Sequence, residues 1–259
     1  MILDEIIKSK KKEIASIKEC FSPSAVNKSI ANLPPTRDFK AAITSKKLTL
    51  IAEVKKASPS AGVIMEHYHP EEVAAQYLEA GASAISVLTE QKNFMGFITD
   101  IKKVSERVNL PILRKDFIID ESQIYHSRIS CADAVLLIVR ILDRKTLKRF
   151  LKVSKEVSLH SVVEAHTADE AKMAIDQGAE IIGINNRDLD TLAVDIRNTE
   201  NVLKKVPELK KRIIVSESGI VSAGDVRYLS GMGVRSVLVG EAILKSGDIK
   251  AKIRELLGT

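Results

Sequence analysis

The chain predicts an α/β architecture, a closed (β/α)8 TIM barrel with an N-terminal helical extension, and three observations select it. First, four junctions resemble one another: GASAISVLTE from Gly81, CADAVLLIV from Cys131, GAEIIGINN from Gly178 and GVRSVLVGE from Gly233. They recur roughly every 50 residues, the length of two βα units. Second, four more short apolar runs lie between them: LTLIAE ending at Glu53, PILRK ending at Lys115, SVVE ending at Glu164 and RIIVSE ending at Glu217. Third, helical segments separate the runs, and strands alternating with helices build parallel sheets. An open doubly wound sheet uses the same units, but no GxGxxG follows any strand, so the closed barrel is the expectation.

The helices mark their own ends. Thr167 and Glu170 form a capping-box pattern, a side-chain acceptor followed three residues on by a carboxylate. Asp120 with Gln123 and Ser222 with Asp225 read as similar starts. The helix after Thr167 stops at Gly178, a residue type that tolerates the left-handed turn at a helix C-terminus. Residues 1–47 are surplus to the eight units. Ile2, Leu3, Ile6, Ile7, Ile14 and Ile17 give this extension an apolar stripe at helical spacing. Pro34-Pro35-Thr36 then breaks the chain and is expected to cap a second short helix. The extension is expected to pack on the barrel, making residues 1–259 a single domain.

The composition narrows the class. With 45% hydrophobic and 29% charged residues the chain is an ordinary globular protein. The longest apolar runs fall far short of the ~20 residues of a membrane span, and the lysine- and acid-rich N-terminus has no secretory apolar region. Two cysteines, Cys20 and Cys131, make neither a metal motif nor a disulfide framework, which suits a reducing cytoplasm. The net charge is +6, but lysines alternate with acids from Lys8 to Lys18 and from Lys204 to Lys211. Those runs read as solvated helix faces, not a nucleic-acid surface. The surplus suits a small polyanionic ligand. His67 and His69 have HxH spacing but lie near a helix start, where solvated or capping roles are expected; no HExxH occurs, so no metal site is expected, and no Ser–His–Asp triad is defensible.

Charge falls where the strands end. Glu53, Lys115, Glu164 and Glu217 close the first, third, fifth and seventh strands. Inward side chains of one barrel layer come from alternate strands, and barrel chemistry sits at the C-terminal mouth. Lys55 is two residues beyond Glu53, so strand periodicity sends it the same way. Taken singly, each could mark a strand emerging into solvent. Together they are too costly to bury unpaired, and the mixed signs point to an acid–base cluster. Ser218-Gly219-Ile220 and Val239-Gly240-Glu241 follow the seventh and eighth strands, the recurrent phosphate site of this fold. Ser58 and Arg187 can add a hydroxyl and a guanidinium. Phe94 suits either ring stacking or loop anchoring, and His166 lies next to the mouth.

The stretches IAEVKKASPS, SVLTEQKNF, PILRKDFIID, VVEAH, GINNRDL, SESGI and VGEAIL, in this order, resemble the indole-3-glycerol-phosphate synthase family of tryptophan biosynthesis. ILDEIIKSKKKEI and PPTRDFKAAI resemble that family's extension, so the likeness spans nearly the whole chain. The resemblance implies a carbon–carbon lyase that closes an indole ring on 1-(2-carboxyphenylamino)-1-deoxyribulose 5-phosphate, losing carbon dioxide and water without a cofactor. It assigns Lys115 as the acid for the ketone oxygen and Lys55 as the partner of the substrate carboxylate. Glu53 becomes a base, and Glu164 a stabiliser of the cationic intermediate or an acid. Asn185 and Ser218 would hold sugar hydroxyls, with Glu217 behind them. Ser58, Arg187, Gly219, Gly240 and Glu241 would take the phosphate, and Phe94, Phe117 and Leu136 would sandwich the anthranilate ring. The chain departs from the family at Cys131, commonly Gly, and at Asn93, Met95 and Phe97 in one loop.

Two rivals remain. A phosphosugar isomerase on the same barrel, such as the preceding isomerase of that pathway, would want Cys where this chain has Glu53. A non-catalytic phosphate-ligand or nucleic-acid binder predicts little consequence for Lys115→Met. The expected ligand is a phosphosugar, with no metal, nucleic acid or membrane partner. A monomer is the simplest state, with contacts to other tryptophan-pathway enzymes left open.

Overall fold

A computed structural model describes residues 2–19 and 22–259. Cys20 and the side chain of Ile2 lie outside what is described. Three helices come first: α1 Ile2–Glu19, α2 Pro23–Ala31 and α3 Phe39–Thr44. Strand β1 Thr49–Val54 follows, then a small hairpin of β2 Ala57–Ser58 and β3 Gly62–Val63. Helices and strands then alternate: α4 Pro70–Glu79, β4 Ala84–Leu88, α5 Thr99–Arg107, β5 Ile112–Lys115, α6 Glu121–Ile129 and β6 Ala134–Ile138. After these come α7 Arg144–Glu156, β7 His160–Ala165, α8 Ala168–Asp176, β8 Ile181–Asn185, α9 Arg197–Lys205 and β9 Ile213–Glu217. The last elements are α10 Ala223–Gly231, β10 Ser236–Val239, α11 Glu241–Leu244 and α12 Ile249–Leu257. All strands but the hairpin pair in parallel, and β1 closes the barrel on β10 from Thr49 opposite Ser236 to Ala52 opposite Val239. No described helix is long and apolar enough to cross a membrane.

Strand alternation divides the apolar residues between two cores. Leu50, Ala52 and Val54 of β1 face outward and pack with Val73, Ala74 and Tyr77 of α4. Ile51 faces inward and meets Ala84, Leu113, Val162, Val215 and Leu238 from other strands. Glu53 continues that inward series one step further. The capping boxes at Asp120, Thr167 and Ser222 all form.

The extension touches both ends of the barrel. Phe39 and Ile43 of α3 are fully buried in the interior cluster, and the Thr49 hydroxyl donates to the Ile43 carbonyl at 2.7 Å, so α3 floors the N-terminal end. Leu3 and Ile6 of α1 reach the opposite, C-terminal mouth.

Two sequence expectations need correction here. The helix after the prolines is the third of the extension, and its N-cap is Asp38, which accepts the Ala41 N–H at 2.8 Å. Thr36 instead donates to the Ser158 carbonyl at 2.8 Å, tying the strap to the end of α7. Lys8, Lys11, Lys12 and Lys18 are exposed as expected, but Lys10 is only 1% exposed. It lies on the barrel-facing side of α1, where its ammonium pairs with Asp116 at 2.8 Å. Asp116 also accepts from Arg114 at 2.8 Å and Thr89 at 2.6 Å. Arg114 and Lys10 hold the Asp116 carboxyl down at about 2, outweighing the upward push of burial.

Cys131 adopts a left-handed backbone, φ 68, as do its sister junction residues Gly81, Gly178 and Gly233. A fifth such junction, before β7, has no glycine: Ser158 takes φ 62.

Candidate active site

The C-terminal mouth is a cup of about 480 Å3. Every residue to which the family resemblance assigns a role lines it. Glu53, Lys115, Glu164 and Glu217 come from β1, β5, β7 and β9, alternate strands of the ring. The Lys115 ammonium donates to Glu164 at 3.2 Å and lies 3.7 Å from a Glu217 carboxylate oxygen. The Lys55 ammonium donates to Glu53 at 2.7 Å. The two lysines therefore sit in separate acid–base pairs across the floor.

Burial alone would lower Lys115, but the carboxylates of Glu164, Glu217 and Glu53 outweigh it and hold the ammonium well above its ordinary range. Its side chain is 18% exposed, and that exposure faces the cup. Glu217 moves the other way. Burial, with the Glu164 charge beside it, pushes its carboxyl up to about 8, although Lys115 pulls it down. Neither Glu217 oxygen has a hydrogen-bond partner within bonding distance among the described residues; desolvation is the largest cause of the shift and the Glu164 charge the next. The backbone leaves room for this carboxyl. A Cβ on Gly183 of the neighbouring strand β8 would stand 2.1 Å from Glu217 Oε1.

Hydrogen bonds orient the rest of the floor. Asn185 donates from Nδ2 to Glu164 at 3.1 Å, and its Oδ1 accepts the Ser218 hydroxyl at 2.9 Å and the Arg187 N–H at 2.9 Å. These bonds fix which way the amide points. His166 is not in the lining. It holds the Asn185 carbonyl through Nδ1 at 2.8 Å, and Asn198 donates to the same carbonyl at 3.0 Å.

Two arcs of the rim differ in character. Loops and strand ends of β4, β5 and β6 give an apolar wall of Phe94, Phe117, Leu136 and Ile138, with the Phe94 and Phe117 rings 6.5 Å apart and tilted by 38°. Leu3 and Ile6 of the extension join it. The other arc collects Ser58, Arg187, Gly219, Gly240 and Glu241 after β1, β8, β9 and β10. Ser218 and Gly219 are both left-handed, φ 69 and 76, which turns the chain sharply at the end of β9. The Glu241 carboxylate is engaged by Lys245 at 2.7 Å, so its offering to an anion is its backbone N–H at the start of α11.

Sequence reasoning missed Leu3, Ile6, Ser60, Gly183 and Lys245. Lys245 stands four residues past Glu241 on what reads as a plain surface pair. Gly183 opens GINNRDL, but only the neighbouring strand reveals why it must be small. Of the loop departures, Asn93 bonds to Glu90, whereas Met95 takes φ 54 and Phe97 is half exposed.

Comparison with known proteins bears on the fold and on the family. Solved structures with the same barrel include the tryptophan synthase α2β2 complex of Pyrococcus furiosus, at TM-score 0.61 and 16% identity over 82% of this chain and 98% of the other. A thiamine phosphate pyrophosphorylase from the same organism matches at TM-score 0.59 and 17% identity, over 82% and 95%. At such identities these two speak for the fold alone. In sequence, the family profile described as indole-3-glycerol phosphate synthase matches residues 3–256. Proteins of that name from Caldanaerobacter subterraneus subsp. tengcongensis and Petrotoga mobilis are 45% and 42% identical, the first over all of both chains, the second over 99% of this chain and 96% of its own. One from Aquifex aeolicus is 48% identical over 85% of this chain and 86% of its own. A match of this length and closeness leaves one conclusion: the chain belongs to the indole-3-glycerol phosphate synthase family.

Proposed function

We propose that the cup performs the indole-3-glycerol phosphate synthase reaction with Lys115 as the acid that protonates the ketone oxygen. The observation that carries this is the Lys115 ammonium, bonded to Glu164 at 3.2 Å and 3.7 Å from Glu217, between an apolar wall and a rim of phosphate-type loops. The anthranilate ring lies along Phe94, Phe117 and Leu136, and the phosphate meets Ser58, Arg187 and the backbone at Gly219, Gly240 and Glu241. The Lys55 ammonium pairs with the substrate carboxylate. The ring carbon bearing that carboxylate attacks the ketone carbon, and the oxygen takes a proton from Lys115 as it becomes a hydroxyl. Loss of carbon dioxide returns the electron pair to the ring. The hydroxyl then takes a proton from the Lys55 ammonium, free once the carboxylate has gone, and leaves as water; Glu164 stabilises the cation formed, and Glu53 removes the last proton. Asn185 and Ser218 hold the sugar hydroxyls.

Charge bookkeeping favours this order. Burial and the neighbouring Glu164 charge favour the proton on Glu217, which limits the negative charge that the incoming carboxylate meets. The same reading takes residues 1–259 as one domain acting as a monomer in the cytoplasm on a phosphosugar.

Indole formation from the carboxyphenylamino ketose phosphate tests it. The wild-type protein should release fluorescent product, and Lys115→Met should lose at least about 10²-fold in kcat. Absence of product with wild-type protein, or a Lys115→Met variant with full turnover, rules the reading out.

A further inference from the structure

Glu90 has no part in that reaction, yet its carboxylate is buried to 1% exposure two residues past β4. Its partners are N–H groups of the loop that follows it. Oε2 accepts the backbone N–H of Asn93 at 2.7 Å and of Phe94 at 3.1 Å. Oε1 accepts the Lys92 N–H at 3.2 Å and the Asn93 side-chain amide at 3.2 Å. The Glu90 carbonyl accepts the Gly96 N–H at 3.0 Å, closing the turn. At Gly96 the chain passes so near β4 that a Cβ would stand 2.1 Å from the Leu88 oxygen. Residues 90–96 are thus wound around one carboxylate.

Phe94 connects this knot to both ends of the cup. Its ring faces Phe117 in the apolar wall. Its carbonyl accepts the Ala57 N–H at 3.2 Å, and Ala57 adjoins Ser58 in the β2–β3 hairpin on the phosphate side. A charged acceptor with several backbone donors fixes a loop more tightly than neutral bonds do.

We infer that Glu90 is a positioning residue: through Phe94 its carboxylate sets the aromatic wall and the Ser58 hairpin as one unit, so both ends of the substrate are gripped together. The inference rests on the synthase reading above. A merely structural cap would cost stability and leave the two ends independent.

The test is steady-state kinetics on the full-length protein for Glu90→Gln, Phe94→Leu, Ser58→Ala and their double variants, with inorganic phosphate as competitive inhibitor. Glu90→Gln should raise KM roughly tenfold, the scale of a lost charged hydrogen bond, while kcat falls less than about threefold. Phosphate inhibition should weaken too, although Glu90 does not line the cup. The Glu90→Gln, Phe94→Leu pair should be no worse than its worse single member, the signature of coupled residues. Unchanged KM and phosphate inhibition in a folded Glu90→Gln protein, or effects that multiply, overturn the inference. If circular dichroism shows Glu90→Gln unfolded, Glu90→Asp replaces it, and the Phe94→Leu, Ser58→Ala pair reads the same linkage with Glu90 intact; independent effects there also overturn it. Wild-type protein that makes no indole product sinks the proposed function instead, so the two failures are distinguishable.

Discussion

Gly183 and Glu217 compete for one volume: the space a side chain at residue 183 would fill holds the Glu217 carboxyl, with a Cβ placed 2.1 Å from Oε1. Strands β8 and β9 are neighbours, and Gly183 pairs with Val215, two residues before Glu217 on the same inward face. Gly183→Ala should therefore displace the Glu217 carboxyl from its place beside Lys115. Activity should drop by about 10²-fold, the scale set by an ångström of misplacement, with the fold retained. Assay together with circular dichroism checks this, and a fully active Gly183→Ala enzyme removes the steric account.

Glu217 also makes stability depend on pH. Its carboxyl titrates near 4.5 when exposed and is raised to about 8 in the fold. Between these values the folded state keeps a proton that the unfolded chain has released, so raising the pH favours unfolding. The contribution is intact below 4.5, erodes through the window and is gone above about 8, at up to ~1.4 kcal/mol per pH unit. Glu217→Gln removes the titration. Its stability advantage over wild type in denaturant melts should widen from pH 5 to pH 9, and a constant difference contradicts the shift.

The Lys10–Asp116 pair should show an ordered pair of losses. Lys10→Ala leaves Asp116 still bonded to Arg114 and Thr89, and should cost about 2 kcal/mol. Asp116→Ala leaves buried Arg114 without a carboxylate and Lys10 with Glu13 alone, and should cost more, about 3–5 kcal/mol. Urea melts read both values. Equal losses, or the reverse order, would show that Arg114 does not share the carboxylate as drawn.

Cys131→Gly should stabilise the protein. A side chain in the left-handed region costs about 1 kcal/mol, and Cys131 sits there at φ 68. The expected rise in melting temperature is roughly 2–4 °C, with KM unchanged because Cys131 is outside the cup. A lower melting temperature would mean that the half-buried thiol packs better than its backbone suffers.

What the sequence revealed follows from what is local. Strand ends at Glu53, Lys115, Glu164 and Glu217 stood out because charges interrupt period-two apolar runs, and the barrel converts that interruption into one ring. The junctions at Gly81, Gly178 and Gly233 were readable because glycine marks a left-handed turn, whereas Ser158 makes the same turn unmarked. Lys10 looked solvated because it alternates with other charges, and its partner is 106 residues away. Gly183 needed a carboxyl on the next strand to explain it. The β2–β3 hairpin has strands of two residues each, too short for any periodicity to show.

The strap before β1 has seats at both rims: Asp116 for Lys10, Asp133 for Arg37, Ser158 for Thr36 and Glu180 for Lys40. Those seats come from four later βα units, yet the strap leaves the ribosome ahead of them all. The last of those seats, at Glu180, exists only after more than two thirds of the polypeptide has been made, so full docking of the strap comes late in assembly. Contacts of such long sequence separation are slow to form.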